Sequence, residues 1–228
     1  MVNNYKKCQP VLGMHKVFNG TKCYPVLYLW IMKQAGFSTY LYTNTELDGN
    51  LINSITENCR SVWYKKNEFL LRQGNICRQV FFVERGLLRQ YSIDEKGKEH
   101  ILYFAPENWL VADRESIFFN EPGSYFIQAL EDSKVTIVDQ SFINNLAEQN
   151  PSFLTFNNRL LHNHIRHLQK RITLLLSATA EERYLDFIKI YPDILFRVPQ
   201  AMVASYLGIT PESLSRVRKD LSQRHFKS

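Results

Sequence analysis

The chain has 228 residues, of which 45% are hydrophobic and 22% charged, enough for two small domains with cores of their own. Its longest apolar run, residues 24–32, is far shorter than the ~20 residues that span a bilayer, and no small-residue cleavage site follows it. We therefore expect neither a membrane span nor a signal peptide. The cysteines lack the spacing of a zinc site or a disulfide framework, which indicates a reducing cytoplasm. They are Cys8, Cys23, Cys59 and Cys77.

The net charge of +6 is unevenly distributed along the chain. Residues 1–44 hold five basic and no acidic residues, a net +5, whereas residues 45–150 hold 11 basic and 16 acidic residues, a net −5. Residues 151–228 hold 12 basic and 6 acidic residues, a net +6. A basic C-terminal third suits attraction to a phosphate backbone and an acidic centre does not, so the pattern favours a sensor attached to a nucleic-acid reader.

Residues 1–42 show neither helical nor alternating periodicity, and we expect a poorly ordered extension there. The alternative is a redox or partner-binding arm. A short helical segment is predicted from Thr43 onward. Its apolar positions are Leu47, Leu51, Ile52 and Ile55.

The region up to residue 150 is rich in short apolar segments separated by turn residues. Between two of them, residues 94–99 form a predicted hairpin loop with Gly97 at a left-handed position. This spacing favours an antiparallel barrel or jelly roll, followed by a short helix over residues 140–148. The predicted strand segments are residues 68–74, 79–86, 87–93, 100–104, 124–130 and 133–138.

A long helix is predicted over residues 151–177, opening at Pro151. Its apolar residues are spaced 7, 4, 3, 4 and 3 apart, a heptad seam in which Asn158 takes the remaining core position. A helix packed within one chain would show the same stripe, but a reader of two-fold DNA sites needs a dimer, so we favour a parallel dimerisation helix. The seam residues are Leu154, Leu161, Ile165, Leu168, Ile172 and Leu175.

Residues 178–228 are predicted to form a helix-turn-helix domain. Thr179 and Glu182 make a capping box for a helix over residues 181–190, which places a hinge near residues 177–179. A first short helix is expected to end at Gly208, where a positive φ is needed, and a second to begin after the N-cap Thr210 with Pro211 at its first position.

The second helix carries the candidate DNA-reading residues. Offsets of zero, three and four put Glu212, Ser215 and Arg216 on one exposed face near the N-terminus, the end from which such helices contact base edges. On the opposite side, Leu214, Val217 and Leu221 should face the core. A helical hairpin without DNA binding is the alternative. Further candidate contacts are Thr210, Ser213, Arg218 and Lys219.

The order of barrel, long helix, short helix and helix-turn-helix over residues 43–228 resembles the cyclic-AMP receptor/FNR family of bacterial transcription regulators. Its strongest motifs are residues 86–99 and the helix-turn-helix. The resemblance implies an α+β fold with an antiparallel β-roll sensor over residues 43–150, resembling a cyclic-nucleotide-binding domain. It also implies that Glu212 and Arg216 read base edges, with Ser215 as in the FNR branch, at a TTGA-like half-site. Arg216 would donate to guanine O6 and N7, and Glu212 would accept from cytosine N4.

Family members that bind cyclic AMP hold its phosphate with a Gly-Glu pair and an Arg-Ser pair. Alignment on residues 126–129 places Ala112 and Asp113 at the first pair and Gly123 and Ser124 at the second, so the phosphate-binding Arg is missing. Loss of that charge-assisted contact predicts that cyclic AMP does not bind tightly. Arg114 is the alternative cation, although its position on a predicted strand points the other way. The candidate effector pocket consists of Trp109, Asp113, Arg114, Ser124 and Tyr125.

Cofactors of related regulators are not expected here. The FNR branch holds an iron–sulfur cluster with clustered cysteines, and Cys8 and Cys23 lie too far apart to match. Haem-binding relatives use a histidine, but His162, His164 and His167 share neither the seam nor one face of the helix. We therefore expect these histidines to belong to a polar face exposed to solvent. We expect no metal and no cofactor, with an effector still unidentified.

The sequence thus predicts a cytoplasmic, homodimeric, sequence-specific DNA-binding regulator that contacts double-stranded DNA and RNA polymerase. Alternatives within the same architecture are a cyclic-AMP-responsive regulator, a constitutive DNA binder with a degenerate sensor, and a sensor acting through protein partners. An enzyme is not expected, because the chain has no nucleophile elbow, phosphate-cradling glycine loop or metal-ligand motif.

Overall fold

The computed structural model describes residues 36–225, and it begins with two short helices, α1 (Phe37–Asn44) and α2 (Gly49–Glu57). In α1, Leu41 is fully buried, and the rings of Phe37 and Tyr40 lie 4.9 and 5.0 Å from that of Phe82. The prediction of a poorly ordered segment is therefore wrong for residues 36–42, and the helical segment predicted from Thr43 corresponds to α2, which begins at Gly49. The i, i+3, i+4 spacing of these three apolar residues was the signal that the sequence interpretation missed. Residues 1–35 lie outside the described part of the chain.

Two four-stranded antiparallel sheets follow, with strand orders β1-β8-β3-β6 and β2-β7-β4-β5. Their inner faces enclose the main core, in which Val83, Phe104 and Ile127 are fully buried. The predicted β-roll is confirmed, including the hairpin in which Gly97 has a φ of 78°. The strands are β1 (Arg60–Tyr64), β2 (Phe69–Leu71), β3 (Gln79–Arg85), β4 (Leu88–Ile93), β5 (Glu99–Ala105), β6 (Leu110–Val111), β7 (Phe126–Ala129) and β8 (Ser133–Asp139).

Three short elements of the roll were not predicted from sequence. Strand β1 is a largely exposed edge strand, so it lacks the apolar run that marked the others. Strand β6 has two residues, and helix α3 (Arg114–Phe119) has six, both below the length at which periodicity is visible.

The helices after the roll agree closely with the sequence predictions. Helix α4 (Gln140–Gln149) precedes α5 (Pro151–Ser177), which opens at Pro151 as expected. Ala178 has extended backbone, and the Thr179 capping box then starts α6 (Ala180–Ile190), so the predicted break between the two helices is confirmed. A short 3-10 turn, Ile194–Phe196, leads to α7 (Gln200–Leu207) and α8 (Pro211–His225).

The C-terminal helices pack against the second sheet through β5. Phe104 of β5 contacts Phe187, Tyr191 and Tyr206 with ring-centroid distances of 5.9 to 6.3 Å. The hydroxyl of Ser205 donates to the carbonyl of Glu99 at 3.0 Å and accepts from the backbone N–H of Ile101 at 3.1 Å. The helix-turn-helix is thereby seated directly on the sensor.

Arg197 adds an ionic contact between the same two regions. Its guanidinium pairs with Glu107 at 2.9 Å and Glu131 at 2.6 Å, both on the roll, and with Asp193 at 3.2 Å. Only 14% of the Arg197 side chain and 10% of the Glu107 side chain are exposed, so this contact is largely shielded from water. No sequence signal marked the contact with the roll, because Glu107 and Glu131 are 90 and 66 positions away from Arg197.

Candidate functional site

The turn between α7 and α8 has the geometry that the sequence predicted. Gly208 ends α7 in the left-handed conformation with φ 66° and ψ 36°, and the N–H of Ile209 donates to the carbonyl of Ala204 at 3.0 Å. The hydroxyl of Thr210 then accepts from the N–H of Ser213 at 3.2 Å, which caps α8 ahead of Pro211. The angle between the two helices is therefore set by local contacts.

Helix α8 has one buried and one exposed side. Leu214 is fully buried, and Val217 and Leu221 pack against the same core. Glu212, Ser215 and Arg216 are exposed on the other side, near the helix N-terminus. The structure therefore presents the three predicted reading residues together on one open face.

Glu212 is charged at neutral pH. A backbone N–H and the Thr210 hydroxyl stabilise its carboxylate, and the nearby Arg216 adds to this, so the pKa of Glu212 lies below its ordinary value. A carboxylate in this state can accept a hydrogen bond from a base amino group. Within residues 36–225, Arg216 forms no ion pair that would hold it away from a ligand.

The other four candidate contacts differ in exposure. Lys219 is exposed on the same helix, whereas Arg218 is partly buried. Thr210 is exposed but its hydroxyl is used in the cap, and it also contacts the Ser213 hydroxyl at 3.2 Å. Lys219 is thus the freest of the four to meet a phosphate.

The sensor positions that were aligned with a cyclic phosphate site lie side by side. The Oδ1 atom of Asp113 caps α3 by accepting from Ser116 N at 3.1 Å, while its Oδ2 atom is buried and has no partner within residues 36–225. A Cβ added to Gly123 would lie only 2.7 Å from that Oδ2 atom. A buried carboxylate therefore fills the space that an Arg side chain at position 123 would need.

The structure does not gather the five predicted effector residues into one pocket. Trp109 packs on Tyr191 and His167, with ring centroids 5.4 and 6.1 Å away, while Ser124 is exposed. Tyr125 is partly buried, and burial together with the nearby Asp113 raises the pKa of its hydroxyl. Arg114 is the first residue of α3, so the prediction that it lies on a strand is wrong.

Two of the three histidines on α5 are not on a solvated face. The ring of His164 contacts Tyr103 at 5.9 Å, and that of His167 contacts Trp109. Burial lowers the pKa of His164 to about 4 and also lowers the pKa of His167. The sequence interpretation holds only for His162, which is exposed.

The predicted dimer seam of α5 is largely uncovered in the single chain. Leu154, Ile165, Ile172 and Leu175 are 43%, 48%, 56% and 40% exposed. Leu161 and Leu168 are partly buried, and Asn158 is exposed. The helix therefore carries an apolar stripe that its own chain does not cover.

Among residues 36–225, no group of three or more histidine, cysteine or acidic side chains could hold a metal ion. No helix in that part of the chain combines the length and apolarity of a membrane span. Cys8 and Cys23, considered above for an iron–sulfur cluster, lie outside the described residues.

Sequence and structure comparisons agree with this architecture. The sequence pattern described as "Cyclic nucleotide-binding domain" matches residues 61–150. The chain is 32% identical over 164 residues to the transcriptional activator protein anr of Pseudomonas aeruginosa, covering 67% of this chain and 66%, just under two thirds, of that protein. It is 27% identical over 187 residues to the fumarate and nitrate reduction regulatory protein of Vibrio cholerae, covering 77% and 73%.

Two solved structures share the fold. FixK2 from Bradyrhizobium japonicum has a TM-score of 0.65 at 20% identity, covering 73% of this chain and 86% of that one. A CooA variant from Carboxydothermus hydrogenoformans has a TM-score of 0.60 at 20% identity, covering 79% and 86%. At this identity the likeness establishes the arrangement of elements.

Proposed function

Since this chain belongs to the cyclic-AMP receptor/FNR family of regulators, we propose that it is a sequence-specific DNA-binding transcriptional regulator controlled through its β-roll. The observation that carries the proposal is the exposed face of α8, where Glu212, Ser215 and Arg216 lie together above the buried Leu214. A carboxylate and a guanidinium on one helix face can read cytosine N4 and guanine O6/N7 in the major groove. The basic C-terminal third supplies the attraction to phosphate.

The test is binding of the purified chain to a palindromic duplex with two TTGA-like half-sites, followed by fluorescence anisotropy. We expect tighter binding to this duplex than to one of scrambled sequence, and an affinity for both that falls steeply with salt. Equal affinity for the two duplexes across salt concentrations and in the presence of cell-extract metabolites would contradict the proposal.

A homodimer completes this function. The uncovered stripe on α5 supports pairing of two such helices, and pairing would set two copies of α8 ~34 Å apart, in successive major grooves. Double-stranded DNA, a second copy of the chain and RNA polymerase are the proposed partners, in the cytoplasm. The proposed role involves no catalysis.

We further propose that cyclic AMP is not the effector. The buried Asp113 carboxylate adjoins Gly123, which stands at the position of the family's phosphate-binding Arg. An anionic phosphate would therefore meet a negative charge there instead of a positive one. Titration calorimetry with cyclic AMP should detect no tight binding, and a micromolar dissociation constant would overturn this part of the proposal.

A further inference from the structure

An apolar pocket lies outside the β-roll, between the outer face of the β1-β8-β3-β6 sheet and helices α1, α4 and α5. The space within it, counted together with the part that is open to solvent, is about 500 Å³. Its wall is formed by aromatic and aliphatic side chains, including Phe142 and Phe153. The pocket is separate from the Asp113–Gly123 contact, which lies between the start of α3 and the turn before β7.

Two polar residues interrupt this apolar wall, Arg114 at the start of α3 and Asn157 on α5. Neither side chain makes a hydrogen bond or an ion pair with any other residue in the range 36–225. A guanidinium has five N–H donors and a carboxamide two, so the pair leaves several donors without acceptors beside an apolar space. Both residues are partly exposed, so these donors are accessible to an acceptor that enters the pocket from outside the chain.

Within residues 36–225, no negatively charged neighbour balances the charge of Arg114. The groups that act on it electrostatically are Tyr103, Cys77 and His164. Burial raises the pKa of Tyr103 and of Cys77 and lowers that of His164 to about 4, so all three are neutral near pH 7. Burial also lowers the pKa of Arg114 itself, as expected for a cation without a counter-charge.

We propose that this pocket binds a small hydrophobic monocarboxylate, with its carboxylate on Arg114 and Asn157 and its apolar body among the aromatic and aliphatic side chains. The guanidinium fork matches a carboxylate in two parallel hydrogen bonds, and the Asn157 amide supplies a third donor. A single cation in an apolar wall suits one negative charge. A phosphate monoester, with close to two, would be left partly uncompensated.

The experiment compares octanoate with its neutral near-isostere octanamide, each titrated calorimetrically into the full chain without DNA. We expect octanoate to bind at least about tenfold more tightly, since the two differ only in the group that faces Arg114. In Arg114→Met, which keeps the side-chain length, the preference should disappear. In Arg166→Met, an equal change of charge at an exposed position of α5, it should remain.

Arg114→Lys keeps the positive charge and should retain part of the preference. Circular dichroism and thermal midpoints establish that each variant is folded. The proposal fails if octanoate does not bind, if octanamide binds as tightly, or if the preference survives in folded Arg114→Met. Because no DNA is present, failure here leaves the proposed DNA-binding function untouched, and loss of DNA binding would leave this result untouched.

Discussion

On the outer face of α8, different residues are expected to recognise bases and to attract the DNA backbone. Arg216 is exposed near the helix N-terminus beside Glu212, whereas Lys219 lies further along the helix. We expect Arg216→Ala to lose ~1–3 kcal/mol at the cognate duplex and little at a scrambled one, because it removes a contact to guanine. Lys219→Ala should weaken both duplexes equally and reduce the salt slope by about one. Anisotropy on both duplexes measures the difference, and equal losses for Arg216→Ala would refute base reading by this residue.

His164 makes stability depend on pH. Its pKa is lowered to about 4 in the folded chain, against ~6.5 in the unfolded chain, so the unfolded state binds the proton more strongly. Stability is therefore highest above pH 6.5 and should fall as the pH falls from 6.5 towards 4. His164→Gln should reduce this dependence in urea unfolding at pH 7.5, 6 and 5, leaving a remainder from His167, whose pKa is also lowered.

The exposed His162 on the same helix is the matched control. His162→Gln should leave the pH dependence as it is in the parent chain. An unchanged slope in His164→Gln would show that this histidine is not buried in neutral form against Tyr103.

At the scale of the elements, helix α5 carries an apolar stripe that the rest of its own chain leaves exposed. Ile165 and Ile172 are about half exposed and belong to the predicted seam. The double change Ile165→Glu and Ile172→Glu should therefore convert a dimer to a monomer without unfolding the chain, since it places charges in the apolar contact between helices. Light scattering after size exclusion gives the mass, and circular dichroism tests the fold.

Gln169→Glu changes the charge at an exposed α5 position that is not part of the seam. It should leave the mass unchanged. If the doubly substituted chain has the same mass in solution as the parent chain, the stripe has another role, and the prediction that α5 is the dimerisation helix is wrong.

At the scale of the whole molecule, the roll and the C-terminal helices are joined by an apolar contact and an ionic contact. The aromatic cluster around Phe104 and the Arg197 ion pairs form one continuous interface. Under the proposed function, a ligand that alters the roll would change the orientation of α7 and α8 through these contacts.

Arg197→Ala should lower the free energy of unfolding by about 2–3 kcal/mol, because it leaves the shielded Glu107 without a counter-charge. This is less than for a fully buried pair, since Glu131 is partly exposed. Lys65→Ala removes the exposed pair with Asp132 and should cause no measurable change. Urea denaturation measures both, and similar losses in the two variants would mean that the Arg197 contact is no more shielded than a surface pair.

Local chemistry explains why much of the fold was predictable. The positive φ at Gly208, the Thr210 cap and the Thr179 capping box each depend on residues within four positions of one another, so the sequence carries them directly. The same holds for the exposed face of α8. Helix α1 is also local but was not predicted, because it is only eight residues long and its N-cap residue, Gly36, makes no side-chain cap.

The sequence by itself determined the order of the elements, the turn geometry before α8 and the residues that its outer face presents, because short-range spacing and backbone preferences dictate these. Only the tertiary structure decided that Asp113 adjoins Gly123, that His164 is partly buried against Tyr103, and that Arg114 and Asn157 share one pocket. These contacts join residues that are far apart in the chain, and their chemistry depends on burial and on which charges lie nearby. Both are fixed only when the sheets and helices pack together.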